Sequence, residues 1–416
     1  MSTTAPPPLH RNRDFVLLWS GQTLSALGSQ VSLVAYPLLV LAVTGSPAKA
    51  GVVGFAKSVP IVLLALPAGA LADHLNRKLL MVACDCVRAL ALAAFSITLA
   101  TGHTSFAVIA VVAFIDGSGF VISYVTERGA LRQLVVPEQL RDAVARNESR
   151  TFAAMLVGPP LGGFLFGLGR AVPFVFDAIS YVGSTISLLA IRSDFQEERP
   201  DSTPGQIREG IRWIWDRPFF RVCSLLFAAS NPIFTGLYLV VVVLAKENGA
   251  SSALVGVMLG IAAAGGLVGA LLAPTLVRRL SPRLVLIGEN WMLALSLPWL
   301  LVAHSALLLG LIVAAAELVT PVTNSFVVSY RVALAPDRLQ GRVQAASTLI
   351  SFSAAWIGPL LIGLLLEHAG TTATVLTLTG WGLALALFAS SSRAFRHPPT
   401  VASLRAGTIA SSHAGS

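Results

Sequence analysis

Charged side chains are scarce here. Only 12% of the 416 residues are Asp, Glu, Lys or Arg, against 55% that are apolar. A water-soluble domain carries about twice that share of charge, so a soluble globular protein is excluded. Histidine is missing from every long apolar run: all seven lie in loops or tails, and no His-Glu-x-x-His pattern occurs. Without a nucleophile–base or metal constellation, an intramembrane hydrolase or acyltransferase is not expected, and the chain reads as a non-enzyme. The only cysteines are Cys84, Cys86 and Cys223, all within or beside apolar segments. They imply no disulfide framework. The Cys-x-Cys pair has no histidine in any span to complete a metal site, so no metal is expected and helix packing is the better reading. A Gly-x4-Gly-Lys-Ser/Thr loop is also absent, which argues against direct ATP drive and leaves an ion gradient as energy source, with no cofactor. Residues 1–13 are polar and proline-rich, with no apolar run before a small-residue cleavage site, so no removable signal peptide is expected.

What the chain does have is long apolar runs. A hydrocarbon core of about 30 Å takes roughly 20 apolar helical residues to cross. Residues 15–44, 51–72, 79–100, 105–125, 151–168 and 173–191 qualify in the first half. Residues 219–245, 254–277, 284–302, 306–328, 347–366 and 374–390 qualify in the second. The expected class is an all-α membrane protein of twelve transmembrane helices, with the lipid bilayer as its solvent.

The net charge of +9 would suit a nucleic-acid partner if the charge were clustered. It is instead distributed by side. Of 29 Lys and Arg, 24 fall at the two ends of the chain or in the connections after spans two, four, six, eight and ten. The opposite connections hold only Lys49, Arg170 and Lys246, while Lys57 and Arg88 lie inside spans. That positive-inside bias places both termini in the cytoplasm, and no nucleic-acid partner is expected.

The second six spans echo the first six. Gly69-Ala70-Leu71 matches Gly269-Ala270-Leu271 at an offset of 200, and Gly158-Pro159 matches Gly358-Pro359 at the same offset. Pro137, Leu140 and Val144 recur as Pro336, Leu339 and Val343 at 199. The expected organisation is a six-helix bundle at 1–191, a cytoplasmic linker at 192–218, a second six-helix bundle at 219–392 and a disordered cytoplasmic tail at 393–416.

These residues resemble the major facilitator superfamily, whose two pseudo-symmetric six-span halves enclose a substrate site near the membrane midplane. The branch most similar holds the enterobactin exporter and the macrolide-efflux pumps. Trp19-Ser-Gly-Gln-Thr-Leu-Ser-Ala-Leu-Gly28 and Thr44-Gly-Ser46 read like that branch's first span and following loop. Gly69-Ala-Leu-Ala-Asp73-His-Leu-Asn-Arg77-Lys78 is close to the superfamily's loop between spans two and three. Gly158-Pro159-Pro-Leu-Gly162-Gly163 resembles the antiporter motif of span five.

The resemblance implies roles for both motifs. Gly69, Asp73, Arg77 and Lys78 would form a cytoplasmic gate, with Asp73 latching onto the positive start of span eleven near Ser347. A solvated turn obeying the charge bias is the plainer alternative. Gly158, Pro159, Gly162 and Gly163 would mark an antiporter, hence export. Proline bends a helix and small residues admit a neighbouring one, so tight packing around a kink is the alternative there.

Acids within the spans are costly, so they are expected to face a cavity or a partner. Asp116 in span four and Glu317 in span ten lie at similar depth, 201 residues apart. The expectation is that they face one another across the cleft, and that one or both couple proton entry to substrate exit. A structural carboxylate bonded to Ser or Arg is the alternative. Asp85 and Arg88, at i,i+3, share a face of span three and are expected to pair as an ion pair. Lys57 and Asp177 fit either a helix-end residue reaching for water or a cavity charge.

Gln22, Ser25 and Ser29 fall on one face of span one. Glu317, Thr320 and Asn324 do so in span ten, and Asn231 with Thr235 in span seven. Because spans one, four, seven and ten line the cavity in the superfamily, these residues are expected to line a substrate site. With Phe120 and Trp356 nearby it would suit an amphipathic ligand. Only four of the 29 basic residues are lysine, as suits a GC-rich bacterial genome. The expectation is therefore a monomeric secondary transporter of a bacterial inner membrane. Its task would be proton-coupled export of a small drug-like metabolite or siderophore, with uptake and a non-transporting scaffold or sensor as rivals.

Overall fold

A computed structural model describes residues 8–193, 195, 205–336 and 339–396. The first group of helices is α1 (Arg13–Thr44), α2 (Pro47–Ser58), α3 (Pro60–His74), α4 (Arg77–Ala100), α5 (Phe106–Leu134), α6 (Leu140–Leu168) and α7 (Val172–Ala190). After α8 (Gly205–Trp215) come α9 (Pro218–Glu247), α10 (Ser252–Arg279), α11 (Pro282–Ser296), α12 (Ala306–Leu334), α13 (Gln340–Phe352), α14 (Ile357–Ser391) and the short α15 (Arg393–Arg396). Among the described residues there is no strand.

Seven of the helices begin where the chain offers a side-chain acceptor to a free backbone N–H. Asn12 accepts from Phe15, Ser46 from Lys49, Asn76 from Leu79 and Ser105 from Val108. Ser251, Ser281 and Ser305 cap α10, α11 and α12 in the same way. Gly45, at φ 65°, ends α1 in the left-handed conformation that favours glycine.

Among the described residues, eleven helical stretches are long and apolar enough to cross a membrane. The last, Gln340–Ser391, has 52 residues, so an unbroken helix would run about 78 Å, more than twice a hydrocarbon core. Gly370, at φ 76° and ψ 173°, divides it and supplies the twelfth span. Two spans expected to be continuous are broken. Span two divides between α2 and α3 at Val59, just before Pro60, and span eleven divides between α13 and α14 around Ser353 to Trp356.

The apolar packing differs between the two ends of the bundle. At the far end, where α1 ends and α2 begins, one core joins both groups: Leu38 and Leu39 of α1, Phe174 of α7, Val240 of α9 and Met258 of α10 belong to it. At the end carrying the described termini, the cores separate. Leu9, Phe15, Met81 and Leu131 pack within the first group, while Trp213, Phe219, Val343 and Phe395 pack within the second.

The segment expected to be a linker contains α8, whose Glu209 pairs with Arg342 of α13. Residues 194 and 196–204 lie outside the described residues, and so do residues 397–416, where disorder was expected.

Candidate functional site: buried charges and a two-ended seam

Asp116 of α5 is fully buried and is the hub of a charge network inside the first group. Arg88 of α4 donates from Nε to Asp116 Oδ1 at 2.9 Å, and its Nη2 lies 2.8 Å from the same oxygen. Lys57, on the last turn of α2, forms an ion pair with Asp116 Oδ2. Tyr181 of α7 donates to Asp116 Oδ1 at 3.1 Å and also lies 3.4 Å from Oδ2 of the fully buried Asp177. Ser32 donates to Asp177 Oδ2 at 2.5 Å and Ser180 to its Oδ1 at 3.2 Å. The Arg88 guanidinium stacks on the Tyr181 ring at 3.9 Å. Charges taken out of water survive only with such dense pairing.

Glycines make room for it. The Arg88 stem occupies the space a Cβ would take at Gly119, and the Lys57 carbonyl occupies that space at Gly117. Both glycines follow Asp116 within one turn of α5, which leaves room there for Lys57 and Arg88 to approach.

Several expectations are corrected here. Arg88 pairs with Asp116 and not with Asp85, whose two carboxyl oxygens have no hydrogen-bond partner. Arg88 is drawn across to α5 because Asp116 offers an acceptor in the space opened by Gly119. Gln22, Ser25 and Ser29 do not line a free cavity. Gln22 donates to Ser184 at 3.0 Å, Ser25 is buried, and Ser29 bonds Tyr181 and accepts from Arg88 at 3.1 Å. The polar stripe of α1 thus serves contacts within the first group.

In the second group, Asn231 donates to the Ser351 carbonyl and Thr235 to the Ala355 carbonyl, each at 2.7 Å. They satisfy backbone acceptors freed where span eleven breaks, a requirement in lipid, and so are not the free cavity donors expected. Glu317 is half-buried near Tyr238 of α9 and Glu289 of α11, and among the described residues it makes no hydrogen bond or ion pair. The Thr320 hydroxyl is buried without a partner, and Asn324 is exposed. Asp116 and Glu317 are not paired with one another: the partners of Asp116 are all in the first group.

The motif of span five does close a seam. Gly158 and Gly162 receive Gln30 and Val31 of α1, while Gly163 lies against Gly256 and the Ser252 carbonyl of α10. A second crossing mirrors it at the same end. Gly51 of α2 lies against Gly363 and the Pro359 carbonyl of α14. Ser46 donates to Glu367 at 2.9 Å and the Ala48 N–H does so at 3.3 Å, while Phe55 meets Trp356 at a centroid distance of 5.4 Å.

At the opposite end Asp73 and Lys78 have partners within the first group. Asp73 lies 3.7 Å from Arg77, Arg77 Nε donates to the Ala72 carbonyl, and Lys78 Nζ donates to the Ile191 carbonyl at 2.6 Å. Gly69 has open space beside it, and Ser347, the expected target of the latch, is buried on α13. Among the described residues Asp73 makes no ion pair or hydrogen bond with α13 in this conformation.

Residues the sequence reading left open acquire partners in the structure. Lys57 and Asp177 both join the network, and Tyr181, one helical turn from Asp177, links it to Asp116. The spacing of Asp177 and Tyr181 at i,i+4 was the available signal. Glu127 and Arg150 form a further buried ion pair, at 2.9 Å, between α5 and α6.

Residues 2–407 match the family described as transmembrane secretion effector. The chain is 26% identical over 396 residues to the multidrug efflux pump Tap of Mycobacterium tuberculosis strain H37Rv, covering 89% of this chain and 90% of the relative. Among solved structures, a bacterial homologue of the iron transporter ferroportin is similar in two states. Its inward-facing state gives a TM-score of 0.67 at 20% identity, covering 91% of this chain and all of that one (100%). Its outward-facing state with soaked iron gives 0.58 at 21% identity, covering 91% and 99%.

Proposed function

The chain belongs to the transmembrane secretion effector family of major facilitator transporters, and from that premise we propose that it exports small amphipathic compounds in exchange for protons by alternating access. The observation that carries this reading is the unequal seam. One shared core and two glycine crossings hold the far end shut, while separate cores serve the two groups at the end bearing the termini. The concentration of Arg and Lys at the terminal end makes that side cytoplasmic, so the conformation is inward-open. The higher similarity to an inward-facing than to an outward-facing relative agrees.

Export is supported by the relative named as a multidrug efflux pump and by the motif of α6, which forms one of the two seals. Proton drive is supported by acids within the spans and by the absence of a P-loop from the sequence. Asp116 anchors the network, and Glu317, with no cation beside it, is the acid of the second group that would exchange protons as substrate passes. Both seals lie within one chain, so the cycle needs no second copy.

The test is transport by inside-out vesicles with an acidic lumen. Accumulation of a lipophilic dye that collapses when the gradient is dissipated supports proton-driven export, and Glu317→Gln should bring it down to the dissipated level. Accumulation that ignores the gradient, or a wild-type rate in Glu317→Gln, would overturn the reading.

A further inference from the structure

Among the described residues, Asp85 and Asp177 are the interior acids of the first group outside the ion pairs, and Asp177 is held by the hydroxyls of Ser32 and Ser180. Asp85 is 1% exposed, and neither carboxyl oxygen has a hydrogen-bond partner. Facing it are Arg88 on its own helix, Glu127 on α5 and Ser184 on α7, with Cys84 beside it on α4 against Ser123; Arg88 in turn faces Asp116, Tyr181 and Asp177. Ser184 accepts from Gln22 at 3.0 Å and turns its hydroxyl toward Asp85. Glu127 is held by Arg150.

The charge count is informative. Lys57 and Arg88 supply two positive charges, while Asp85, Asp116 and Asp177 could supply three negative ones. Glu127 and Arg150 balance one another. One proton shared among the three aspartates leaves the interior neutral, which is the least costly state for groups removed from water. Asp116 holds both cations, and Asp177 accepts from Ser32 and Ser180. Asp85 has no ion pair, and only the Ser184 hydroxyl and Arg88, which rests on Asp116, favour its charge.

We infer that Asp85 is a proton-binding site, and that Arg88 alternates between Asp116 and Asp85, resting on whichever of the two is ionised. In the inward-open form Arg88 sits on ionised Asp116 while Asp85 carries the proton. Arg88 never loses its own charge, so it changes partner and carries no proton. When a proton arrives on Asp116, Arg88 is released and turns to Asp85, whose proton leaves. One proton enters and one departs. The exit runs toward the terminal end, since Asp85 lies closer than Arg88 to the start of α4 at Arg77, past the unpartnered Ser123 hydroxyl and Glu127. The inference rests on the proton-driven reading for its place in transport, but the site itself can be detected without flux.

The experiment is infrared spectroscopy of the full chain in lipid nanodiscs at neutral pH, comparing wild type with Asp85→Asn and Asp85→Glu. The protonated-carboxyl stretching band should lose intensity in Asp85→Asn and persist, shifted, in Asp85→Glu, with thermal unfolding reporting that each variant is folded. An unchanged spectrum in folded Asp85→Asn overturns the site. In vesicles, gradient-driven efflux should fall to the unenergised level in Asp85→Asn and be regained in Asp85→Glu, whereas a wild-type pH profile in Asp85→Asn overturns the relay. If wild type itself shows no gradient-driven efflux, the export reading fails while the infrared result still decides the site.

Discussion

Gly163 of α6 and Gly256 of α10 meet backbone to backbone across the seam between the two helix groups, with no room for a Cβ on either. Gly51 of α2 and Gly363 of α14 meet in the same way at the second crossing. Small residues let helix backbones approach closely in a membrane, where packing replaces the hydrophobic drive for association. A side chain at either crossing must push the far end open.

Gly163→Val should therefore weaken the far-end seal. In a background lacking native cysteines, Ser46→Cys and Glu367→Cys should be joined readily by a short thiol-to-thiol cross-linker, since the Ser46 hydroxyl bonds the end of the longer Glu367 side chain at 2.9 Å. Adding Gly163→Val should slow that cross-link several-fold, and an unchanged rate would show that the crossing does not hold the seal.

The Lys57–Asp116–Arg88 cluster predicts strong non-additivity. Removing one partner of a buried ion pair typically costs about 3–5 kcal/mol because a charge is left uncompensated. Asp116→Ala should lower stability by about that amount, and Lys57→Met in the same chain should recover part of it. Thermal unfolding of the two single variants and the double in detergent closes the cycle. Simple addition of the two losses would argue that Lys57 and Asp116 do not share their charge.

Thr235→Val tests the break in span eleven. It removes the donor to the Ala355 carbonyl while keeping the shape of the side chain. Hydrogen bonds between membrane helices are worth about 0.6–1.7 kcal/mol, so a loss of about 1 kcal/mol is expected in thermal unfolding. An effect near zero would mean that another group serves that carbonyl.

Much of this arrangement was legible in the sequence, for reasons that also mark where legibility ended. The twelve spans were readable because lipid demands long apolar runs, and the depth of Asp116 followed from its place within one. The glycines of span five were readable as a packing surface, although only the structure divides them between α1 and α10. Pairing was not readable. The i,i+3 spacing puts Asp85 and Arg88 on one face, but it says nothing of the gap at Gly119 through which Arg88 reaches another helix. The polar stripes of α1 and α9 likewise share a face by periodicity alone. Whether that face meets water, span six or the broken backbone of span eleven depends on neighbours that no local pattern names.

Asp73 offers a conformational test. In the present form it pairs only loosely with Arg77, at 3.7 Å and partly exposed. Asp73→Asn should leave the thermal stability of this form within about 0.5 kcal/mol of wild type, as for an exposed pair. If Asp73 latches onto α13 when the terminal end closes, turnover in vesicles should nevertheless slow. Wild-type turnover would remove the latch.

The most direct test of alternating access is a pair of distances in one protein. Spin labels at Ser46 and Glu367 report the far end, and labels at His74 of α3 and Thr348 of α13 report the terminal end; all but the half-buried Ser46 are exposed. Under turnover with a proton gradient, a second population should appear in which the far-end distance lengthens while the terminal-end distance shortens. Distances that stay single-valued at both ends while substrate is being moved would contradict the account.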